Sequence, residues 1–327
     1  MPVHAFIFPG QGSQAVGMGR DLAAAFPAVR EVFQEVDDSL GQNLSRLMFE
    51  GPGETLTLTE NAQPALMAVS LAVLRVLERE GGVALKTRAA VVAGHSLGEY
   101  SALAAAGSFG VAEAARLLKL RGQAMQKAVP AGEGAMAALL GADLEQAREI
   151  CAEAGPVPVE AGQTPRTEVI EIANDNGGGQ VVVSGHRGAV ERAVEIAKGD
   201  RFKGIKRAML LPVSAPFHCR LMEPAAEAMA EALAQSPPRA PSVPLIANVT
   251  AAKATEPDEI RDLLVRQVTA TVRWRESVEA MVALGVTSFV ELGAGKVLTG
   301  LVRRIAPDAA AAAVGTPAEI EAVLKAL

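Results

Sequence analysis

The chain alternates short apolar runs with longer amphipathic stretches, which is the pattern of a β-sheet covered by helices. In the first third of the sequence, the apolar runs VHAFIF (3–8) and AAVVA (89–93) predict buried strands. Periodic apolar positions predict helices at 17–38, 64–80, 97–106 and 111–128. This region is therefore predicted to form layered α/β structure.

The pattern changes between residues 133 and 211. There the sequence predicts a strand, a helix, two strands, a helix and a strand, at AMAALLG, ADLEQAREICAEAG, EVIEIAN, GQVVVSG, HRGAVERAVEIAKGD and IKRAMLLPV. That β-α-β-β-α-β order is the ferredoxin-like split motif. It begins after PAGEG and ends at Pro212, and such punctuation by glycine and proline is typical of the boundaries of an inserted domain.

Alternating elements resume after residue 212. Strands are predicted at PLIANV, SFVELG and AAAAVG, and helices at 257–267, 275–284, 296–305 and 317–326. We therefore predict an α/β fold of two domains. A discontinuous large α/β domain takes residues 1–132 and 212–327, and a ferredoxin-like α+β small domain is inserted at 133–211.

Composition narrows the class of protein. The 327 residues are 50% hydrophobic, which is enough to bury a large core. Aromatic residues make up only 3% and the net charge is −6, so neither base stacking nor a global cationic field favours nucleic acid as a partner. An anionic partner would need a local basic patch.

Three further features of the sequence indicate where in the cell the protein is expected and whether its cysteines form disulfides. The N-terminus lacks a basic leader and its apolar run stops at Pro9, so it resembles a first strand more than a signal peptide. No apolar run approaches the length that a membrane span needs. Cys151 and Cys219 are far apart and lack CxxC spacing, which favours neither a disulfide framework nor a zinc site. We expect a cytoplasmic enzyme or binding protein.

The segment GHSLG, residues 94–98, follows a predicted strand and precedes a predicted helix. In that context G-x-S-x-G indicates a nucleophile elbow, in which a sharp turn exposes the Oγ of Ser96 and leaves the backbone N–H of Leu97 free at the helix N-terminus. The alternative is a glycine-rich turn whose serine only caps the helix. The strand and helix on either side favour the elbow.

A serine nucleophile needs a base within hydrogen-bond reach. His4 lies within a strand, His186 begins a helix, and His95 should project away from Ser96 because it is adjacent in an extended segment. His218 remains, in the loop LPVSAPFHCR that two prolines would stiffen. Taken alone, this loop histidine could equally be a surface residue.

Two other features could complete a site. Arg121, in the helix AEAARLLKLRGQAMQ, could hold a carboxylate with its planar fork, although a helical arginine is usually solvated or ion-paired. In FPGQGSQ, residues 8–14, the glycines allow Gln11 to supply a second oxyanion donor beside Leu97. Neither GQGSQAVG nor the GAGK of ELGAGKVLTG has the full spacing of a phosphate-binding loop.

Eight sequence blocks in order resemble the malonyl-CoA:acyl carrier protein transacylases over essentially the whole chain. They are FPGQGSQ with GMG, TENAQPAL, GHSLGEYSAL, RG..M, PVSAPFHC, ANVTA, QVTATVRW and ELGAGKVLTGL. The resemblance implies an α/β-hydrolase-like large domain with a ferredoxin-like insertion, which agrees with the periodicity. The DNGGGQ turn is richer in glycine than the usual form in the family.

The resemblance also implies residue roles. It makes Ser96 the nucleophile, His218 its base and Arg121 the residue that binds the malonyl carboxylate, with Gln11 and Leu97 as backbone oxyanion donors. It further makes Gln267 the residue that orients the histidine, and it puts Asn248 and Phe217 in the substrate cleft, where Phe217 would crowd an α-methyl branch. No orienting Asp or Glu motif is found, so a Ser-His dyad is expected rather than a triad.

These roles imply transfer of a malonyl group from malonyl-CoA, through a seryl ester, to the phosphopantetheine thiol of an acyl carrier protein. No metal or redox cofactor is expected, because a thioester is already activated. The carrier protein is acidic in this family, so a basic docking patch is expected at Arg201, Lys203, Lys206 and Arg207, or at Arg303 and Arg304. Either charge cluster could instead be only a solvated face.

Two other functions remain open at this point. A serine esterase or thioesterase would share the elbow but release the acid to water, and a non-catalytic carrier-binding or acyl-binding module could keep the fold. Fatty-acid and polyketide synthesis use the same transfer, and a chain without fused ketosynthase sequence favours fatty-acid synthesis. We expect a monomer with no nucleic-acid or membrane partner.

Overall fold

The computed structural model describes residues 2–157 and 166–325. Its strands are β1 (His4–Phe8), β2 (Ala89–Gly94), β3 (Gly134–Leu140), β4 (Ile170–Asp175), β5 (Gln180–His186), β6 (Arg207–Leu210), β7 (Leu245–Ile246), β8 (Lys253–Ala254), β9 (Ser288–Leu292) and β10 (Ala310–Val314).

The α-helices are α1 (Arg20–Ala25), α2 (Pro27–Leu40), α3 (Leu44–Glu50), α4 (Gly53–Thr57), α5 (Thr59–Gly81), α6 (Leu85–Arg88), α7 (Gly98–Ala105), α8 (Val111–Lys127), α9 (Leu144–Ala154), α10 (Arg187–Ala197), α11 (Glu223–Gln235), α12 (Pro257–Gln267), α13 (Trp274–Ala283), α14 (Val297–Ile305) and α15 (Pro317–Leu324). Short 3₁₀ turns lie at Asp200–Phe202 and Arg220–Met222.

A six-stranded sheet forms the centre of the molecule, in the order β10-β9-β1-β2-β7-β8. All its pairs are parallel except β7 with β8. Every residue of β1 is buried, as expected of a strand covered by helices on both faces. The register pairs Phe8 with Gly94, so the turns that follow β1 and β2 lie side by side at one sheet edge.

A separate four-stranded antiparallel sheet has the order β4-β5-β3-β6. Helices α9 and α10 pack on it and share its apolar core, in the chain order β-α-β-β-α-β. The edge strand β4 contacts residues that follow α12. Asn174 forms a β-bridge with Val272, and Asp175 forms a 2.9 Å ion pair with Arg275. The small sheet therefore sits beside the segment that follows α12.

The helix predicted at 17–38 is interrupted, and one long helix was not predicted. Pro27 begins α2 and the extended backbone of Phe26 separates it from α1, because a proline disfavours helical backbone in the residue before it. Helix α11, EPAAEAMAEALAQ, is rich in strong helix formers with a proline in its first turn, which is the signal that could have predicted it.

Helices α5 and α8 cross closely beneath the site. A Cβ on Gly122 of α8 would lie 2.4 Å from the Cα of Glu60, so only glycine allows the two helices this contact. Arg121, the preceding residue, is thereby brought against the first turns of α5. No helix in the described ranges is long and apolar enough to cross a membrane.

Candidate active site

Ser96 lies on a tight turn between β2 and α7. Its φ is 54°, a left-handed conformation that is uncommon outside glycine. The turn is compact because a Cβ on Gly94 would lie 1.9 Å from the backbone of Gly98, and one on Gly98 would lie 2.2 Å from the carbonyl oxygen of Phe8. The two flanking glycines are therefore needed for close backbone packing, as in a nucleophile elbow.

His218 meets this serine from the loop that follows the small sheet. Its Nε2 lies 2.7 Å from Ser96 Oγ, and its Nδ1 lies 2.9 Å from the carbonyl oxygen of Gln267. A carbonyl oxygen only accepts, so Nδ1 carries the hydrogen and Nε2 presents its lone pair to the serine hydroxyl. Burial, reinforced by the Arg121 charge, lowers the pKa of His218 to about 3, which keeps the ring neutral.

Gln267 contacts the histidine with its backbone rather than its side chain. The side-chain Nε2 instead donates to the carbonyl oxygen of Ser96 at 3.0 Å and to Asn248 Oδ1 at 3.2 Å. Its Oε1 accepts a 2.9 Å hydrogen bond from Arg121. The sequence could identify the residue but not which of its groups faces the ring, because that depends on how α12 ends.

Asn248 lies behind the turn, fully buried, and not on the cleft wall where the resemblance put it. The Ser96 N–H donates to Asn248 Oδ1 at 2.8 Å, and Asn248 Nδ2 donates to the Gly94 carbonyl at 2.7 Å. The side chain therefore ties both ends of the turn together. In this position Asn248 supports the Ser96 turn.

Arg121 extends from α8 to the floor of the site and is 1% exposed. Its Nη1 donates to Gln63 Oε1 at 2.8 Å, and its Nη2 donates to Gln267 at 2.9 Å and to Ser96 Oγ at 3.3 Å. Among the residues that the structure describes, Arg121 has no ion-pair partner. The buried carboxyl of Glu99 interacts with Arg121 electrostatically without a hydrogen bond to it, so an anionic ligand in contact with the guanidinium would be favoured at this point.

A cleft of about 560 Å³ opens above Ser96 and is lined by the turns that follow β1 and β2 and by strands of the small sheet. Gln11, Leu97 and Phe217 line it together with Ser96, His218 and Arg121. Within residues 2–157 and 166–325, the backbone N–H groups of Gln11 and Leu97 meet no acceptor. Both N–H groups belong to the turns that follow β1 and β2, which adjoin at one sheet edge, so they are candidate oxyanion donors.

The ring of His95 points away from the serine hydroxyl. Its Nε2 lies 2.8 Å from Asn176 Oδ1, and the ring packs against Trp274 with centroids 5.7 Å apart. Asn176 belongs to the DNGGGQ turn, whose three glycines all have positive φ and pack against α14 and Gly141. This turn therefore joins the small sheet to the cleft.

Sequence reasoning missed three buried polar residues near the site. Glu99 accepts the Asn248 N–H at 2.8 Å, and burial raises the pKa of its carboxyl to about 7. Gln63 and Thr59 lie in α5 behind Arg121. The available signal was position for Gln63, which directly precedes the apolar run PALMAV of α5, whereas Thr59 lies among the polar residues of the first turn and carries no such signal.

The GAGK turn, which lacks the spacing of a phosphate-binding loop, is closed by the protein itself. Glu291, at the end of β9, accepts hydrogen bonds from the backbone N–H groups of Leu298 and Thr299 at 3.1 and 2.7 Å. A carboxylate thus occupies the N-terminus of α14, where a phosphate would otherwise bind. The same contact fixes α14, whose Leu298 and Leu301 line the cleft.

The four basic residues of the predicted docking patch lie before and at the start of β6. Arg201 is ion-paired with Glu153 at 2.6 Å, and Lys203 lies 3.6 Å from Asp200. Lys206 and Arg207 are exposed. The cleft-lining residue Leu211 follows the other end of β6, so the basic end is about 13 Å away along the strand at ~3.3 Å per residue.

A serine on a strand-to-helix turn, with a histidine at its hydroxyl and a cleft above, is the arrangement of an enzyme that carries acyl groups on oxygen. The family model "Acyl transferase domain" matches residues 5–318. The chain is 46% identical over 325 residues to the malonyl CoA-acyl carrier protein transacylase of Escherichia coli (strain K12), covering 99% of this chain and 100% of that protein. It therefore belongs to the malonyl-CoA:acyl carrier protein transacylase family.

Solved structures of malonyltransferases are similar to this chain over nearly its whole length. An acyl-carrier-protein-S-malonyltransferase from Bartonella henselae matches with a TM-score of 0.92 and 55% identity, covering 99% of both chains. The malonyl-transacylase PlMCAT, solved with AntF, a type II PKS acyl-carrier protein, matches with a TM-score of 0.91 and 42% identity over 99% of this chain and 100% of that chain. The predicted family, α/β fold class and malonyl-transacylase activity are confirmed.

Proposed function

We propose that this chain carries the malonyl group as an ester on Ser96, with His218 as the base and Arg121 as the carboxylate ligand. The observation that supports this most directly is the 3.3 Å contact between Arg121 Nη2 and Ser96 Oγ at the cleft floor. In a malonyl group, a single CH₂ separates the carboxylate from the ester carbonyl. A cation this close to the nucleophile is therefore within reach of that carboxylate.

In the first half-reaction, His218 Nε2 takes the proton of the Ser96 hydroxyl as Oγ attacks the thioester carbonyl. Negative charge develops on the carbonyl oxygen and is accepted by the N–H groups of Gln11 and Leu97, each worth about 3 kcal/mol by analogy with other oxyanion donors. The tetrahedral intermediate collapses, the C–S bond breaks, and the coenzyme A thiolate receives the proton from His218. The malonyl ester of Ser96 remains.

In the second half-reaction, the thiol of the carrier's phosphopantetheine enters the cleft. His218 takes its proton, the thiolate attacks the seryl ester at the same oxyanion donors, and the C–O bond breaks. The proton then returns to Ser96 Oγ. The carbonyl of Gln267 holds the histidine in one tautomer in both halves, so a dyad suffices where hydrolases use a third acidic residue.

Phe217, Gln267 and Asn248 would support this chemistry in different ways. Phe217 is 8% exposed at the cleft wall next to the base, which supports a role in crowding an α-methyl branch. Gln267 would hold Arg121 and the Ser96 carbonyl, and Asn248 would hold the Ser96 N–H. Methylmalonyl-CoA is therefore expected to be a poor acyl donor.

We also propose the finer description of the fold as an α/β-hydrolase-like large domain, residues 1–132 and 212–327, with a ferredoxin-like domain inserted at 133–211. The β-α-β-β-α-β order and the separate core of the small sheet support it. Residues 158–165, within the proposed insertion, lie outside the described residues.

The carrier protein is proposed to dock on Arg201, Lys203, Lys206 and Arg207, with Lys206 and Arg207 contributing most because Arg201 and Lys203 have partners of their own. Replacing Lys203, Lys206 and Arg207 with alanine should raise KM for the carrier protein and leave KM for malonyl-CoA unchanged. Lys86 and Arg88 are exposed at the opposite end of β2 from Ser96, so their alanine variants are the matched control. An unchanged KM for the carrier would reject this surface.

The decisive experiment is intact-mass analysis after exposure to malonyl-CoA. We expect a malonyl adduct on the wild-type chain that disappears in Ser96→Ala and moves to a pantetheine thiol when one is added. Rapid release of malonate without an acceptor thiol would support a thioesterase, and no adduct at all would support a non-catalytic acyl-binding module. Parallel incubations with methylmalonyl-CoA and acetyl-CoA measure the acyl preference.

A cytoplasmic monomer that serves fatty-acid synthesis remains our proposal for the cellular context. The solved complex of PlMCAT contains a type II PKS carrier, so both classes of carrier protein are the relevant test substrates. Faster transfer to a fatty-acid carrier than to a polyketide carrier would support the proposal. Sedimentation or light scattering would give the oligomeric state.

A further inference from the structure

A line of buried hydrogen bonds leads from Arg121 away from the serine. Arg121 Nη1 donates to Gln63 Oε1 at 2.8 Å, Gln63 Nε2 donates to Thr59 Oγ1 at 2.9 Å, and the Thr59 hydroxyl donates to Gln11 Oε1 at 2.8 Å. We name these three bonds the Arg121 relay. Thr59 and Gln63 are 0% and 1% exposed, and the relay ends at the residue whose backbone N–H is a proposed oxyanion donor.

The donor and acceptor of every bond in the relay follow from Arg121, the residue at which it begins. A guanidinium has donors only, so the carbonyl oxygen of Gln63 must face Arg121 and its NH₂ group must face Thr59. The Thr59 oxygen then accepts, and its hydrogen is left to donate to Gln11. Reversing any one bond would leave two donors or two acceptors facing each other in a buried place, which is costly.

The relay also accounts for the position of the turn after β1. Among the described residues, the side chain of Gln11 has Thr59 as its hydrogen-bond partner, and Gly12 reverses the chain with a φ of 103°. Helix α5 is in turn locked to α8 by the glycine contact at Gly122. One helical turn of α5, from Thr59 to Gln63, therefore holds the side-chain amide of Gln11 at a fixed distance from Arg121.

We infer that Gln63 and Thr59 are positioning residues, Gln63 for the carboxylate-binding Arg121 and Thr59 for the oxyanion donor Gln11. This inference rests on the proposed function and deepens it. Gln63 acts on Arg121 directly and so affects acyl selectivity. Thr59 acts on Gln11 and so affects the rate of acyl transfer whatever the acyl group. The two residues should therefore give separable kinetic effects although they are one helical turn apart.

The test compares Thr59→Val with Gln63→Met in malonyl and acetyl transfer to a pantetheine thiol. Thr59→Val keeps the shape but removes the hydroxyl, and we expect kcat to fall roughly 10- to 100-fold for both acyl groups with their ratio unchanged. Gln63→Met removes an anchor of the guanidinium, and we expect the malonyl-over-acetyl ratio of kcat/KM to fall roughly tenfold. Thr59→Ser, which restores the hydroxyl, should recover kcat.

Ser277→Ala is the matched control, because among the described residues this buried hydroxyl bonds only to the carbonyl of Arg273, the residue before α13, and it should leave both kinetic quantities unchanged. An unchanged kcat in a folded Thr59→Val, or equal losses on both acyl groups in Gln63→Met, would overturn the inference. If Thr59→Val does not fold, Thr59→Ala measures the same link. A wild-type chain that forms no Ser96 adduct would instead reject the proposed function.

Discussion

Ser96 and His218 meet at 2.7 Å although both have a left-handed backbone, with φ of 54° and 59°. Such a conformation costs a non-glycine residue about 1–3 kcal/mol. The left-handed turns at the two residues bring Ser96 Oγ and His218 Nε2 into hydrogen-bond contact. The contact therefore depends on strain at both residues, which the surrounding hydrogen bonds maintain.

The strain at Ser96 predicts a difference between two inactive variants. Ser96→Ala keeps the Cβ and its strain, whereas Ser96→Gly removes both. We expect Ser96→Gly to be more stable than Ser96→Ala by about 1 kcal/mol, although glycine is ordinarily the destabilising choice. Urea unfolding of the two variants measures this. Equal or reversed stabilities would mean that the turn relaxes at no cost.

The glycines of the elbow should not tolerate a methyl group. In Gly94→Ala the new Cβ would lie 1.9 Å from the Gly98 backbone, so we expect a loss of stability of about 3 kcal/mol together with loss of acylation. Gly300→Ala, inside α14 and with no atom near the added methyl, should gain about 0.5–1 kcal/mol. Thermal unfolding of both variants checks the contrast.

Asn248 should support the rate without touching the substrate. Asn248→Ala leaves the Ser96 N–H and the Gly94 carbonyl without their buried partner, and we expect a stability loss of about 2–3 kcal/mol with a lower kcat. The KM for malonyl-CoA should change little. Asn43→Ala, which removes an exposed helix cap, is the control: it should lose about 1 kcal/mol and keep its kinetics. A raised KM in Asn248→Ala would instead indicate a substrate contact.

Arg121 should determine the preference for a charged acyl group. We expect Arg121→Ala to lower kcat/KM for malonyl-CoA about 100-fold or more and to lower it much less for acetyl-CoA. Arg121→Lys should recover only part, because an ammonium cannot replace the planar fork held between Gln63 and Gln267. Arg116→Ala, on an exposed position of the same helix, is the control. Equal loss on both substrates would remove Arg121 from the carboxylate site.

The low pKa of His218 predicts the pH dependence of stability. Burial lowers this pKa from 6.5 to about 3, so between these values the unfolded chain binds a proton that the folded chain does not. The stabilisation is complete above about pH 6.5 and is lost as the pH falls toward 3. His95, whose pKa burial also lowers, contributes with the same sign.

The measurement is the free energy of unfolding from pH 8 to 5 in the wild type and in His218→Gln, which retains His95. We expect the wild type to lose more stability than the variant on acidification. The rate of Ser96 acylation in the wild type should show no loss of base near pH 6.5. Parallel stability curves, or a rate that halves at that pH, would contradict a buried neutral histidine.

The sequence by itself determined most of the element order and the turn that carries Ser96. Apolar periodicity is a local property, so it predicted most strands and helices, and GHSLG between a strand and a helix predicted the elbow turn that the structure contains. Local patterns were insufficient in two places. At Phe26 and Pro27 the apolar periodicity continues but the proline divides the predicted helix into two. In α11 the many alanines make the apolar and polar faces of the helix hard to distinguish.

Tertiary structure decided which groups of the predicted residues face one another. Asn248 and Gln267 lie far from Ser96 along the chain, and only the packing of β7 and α12 shows that one holds the serine N–H and the other offers its carbonyl to His218. Thr59 and Gln63 became visible for the same reason. Hydrogen bonds between distant segments depend on distances of a few tenths of an ångström, and these follow from close helix contacts such as Gly122 with Glu60 rather than from residue types.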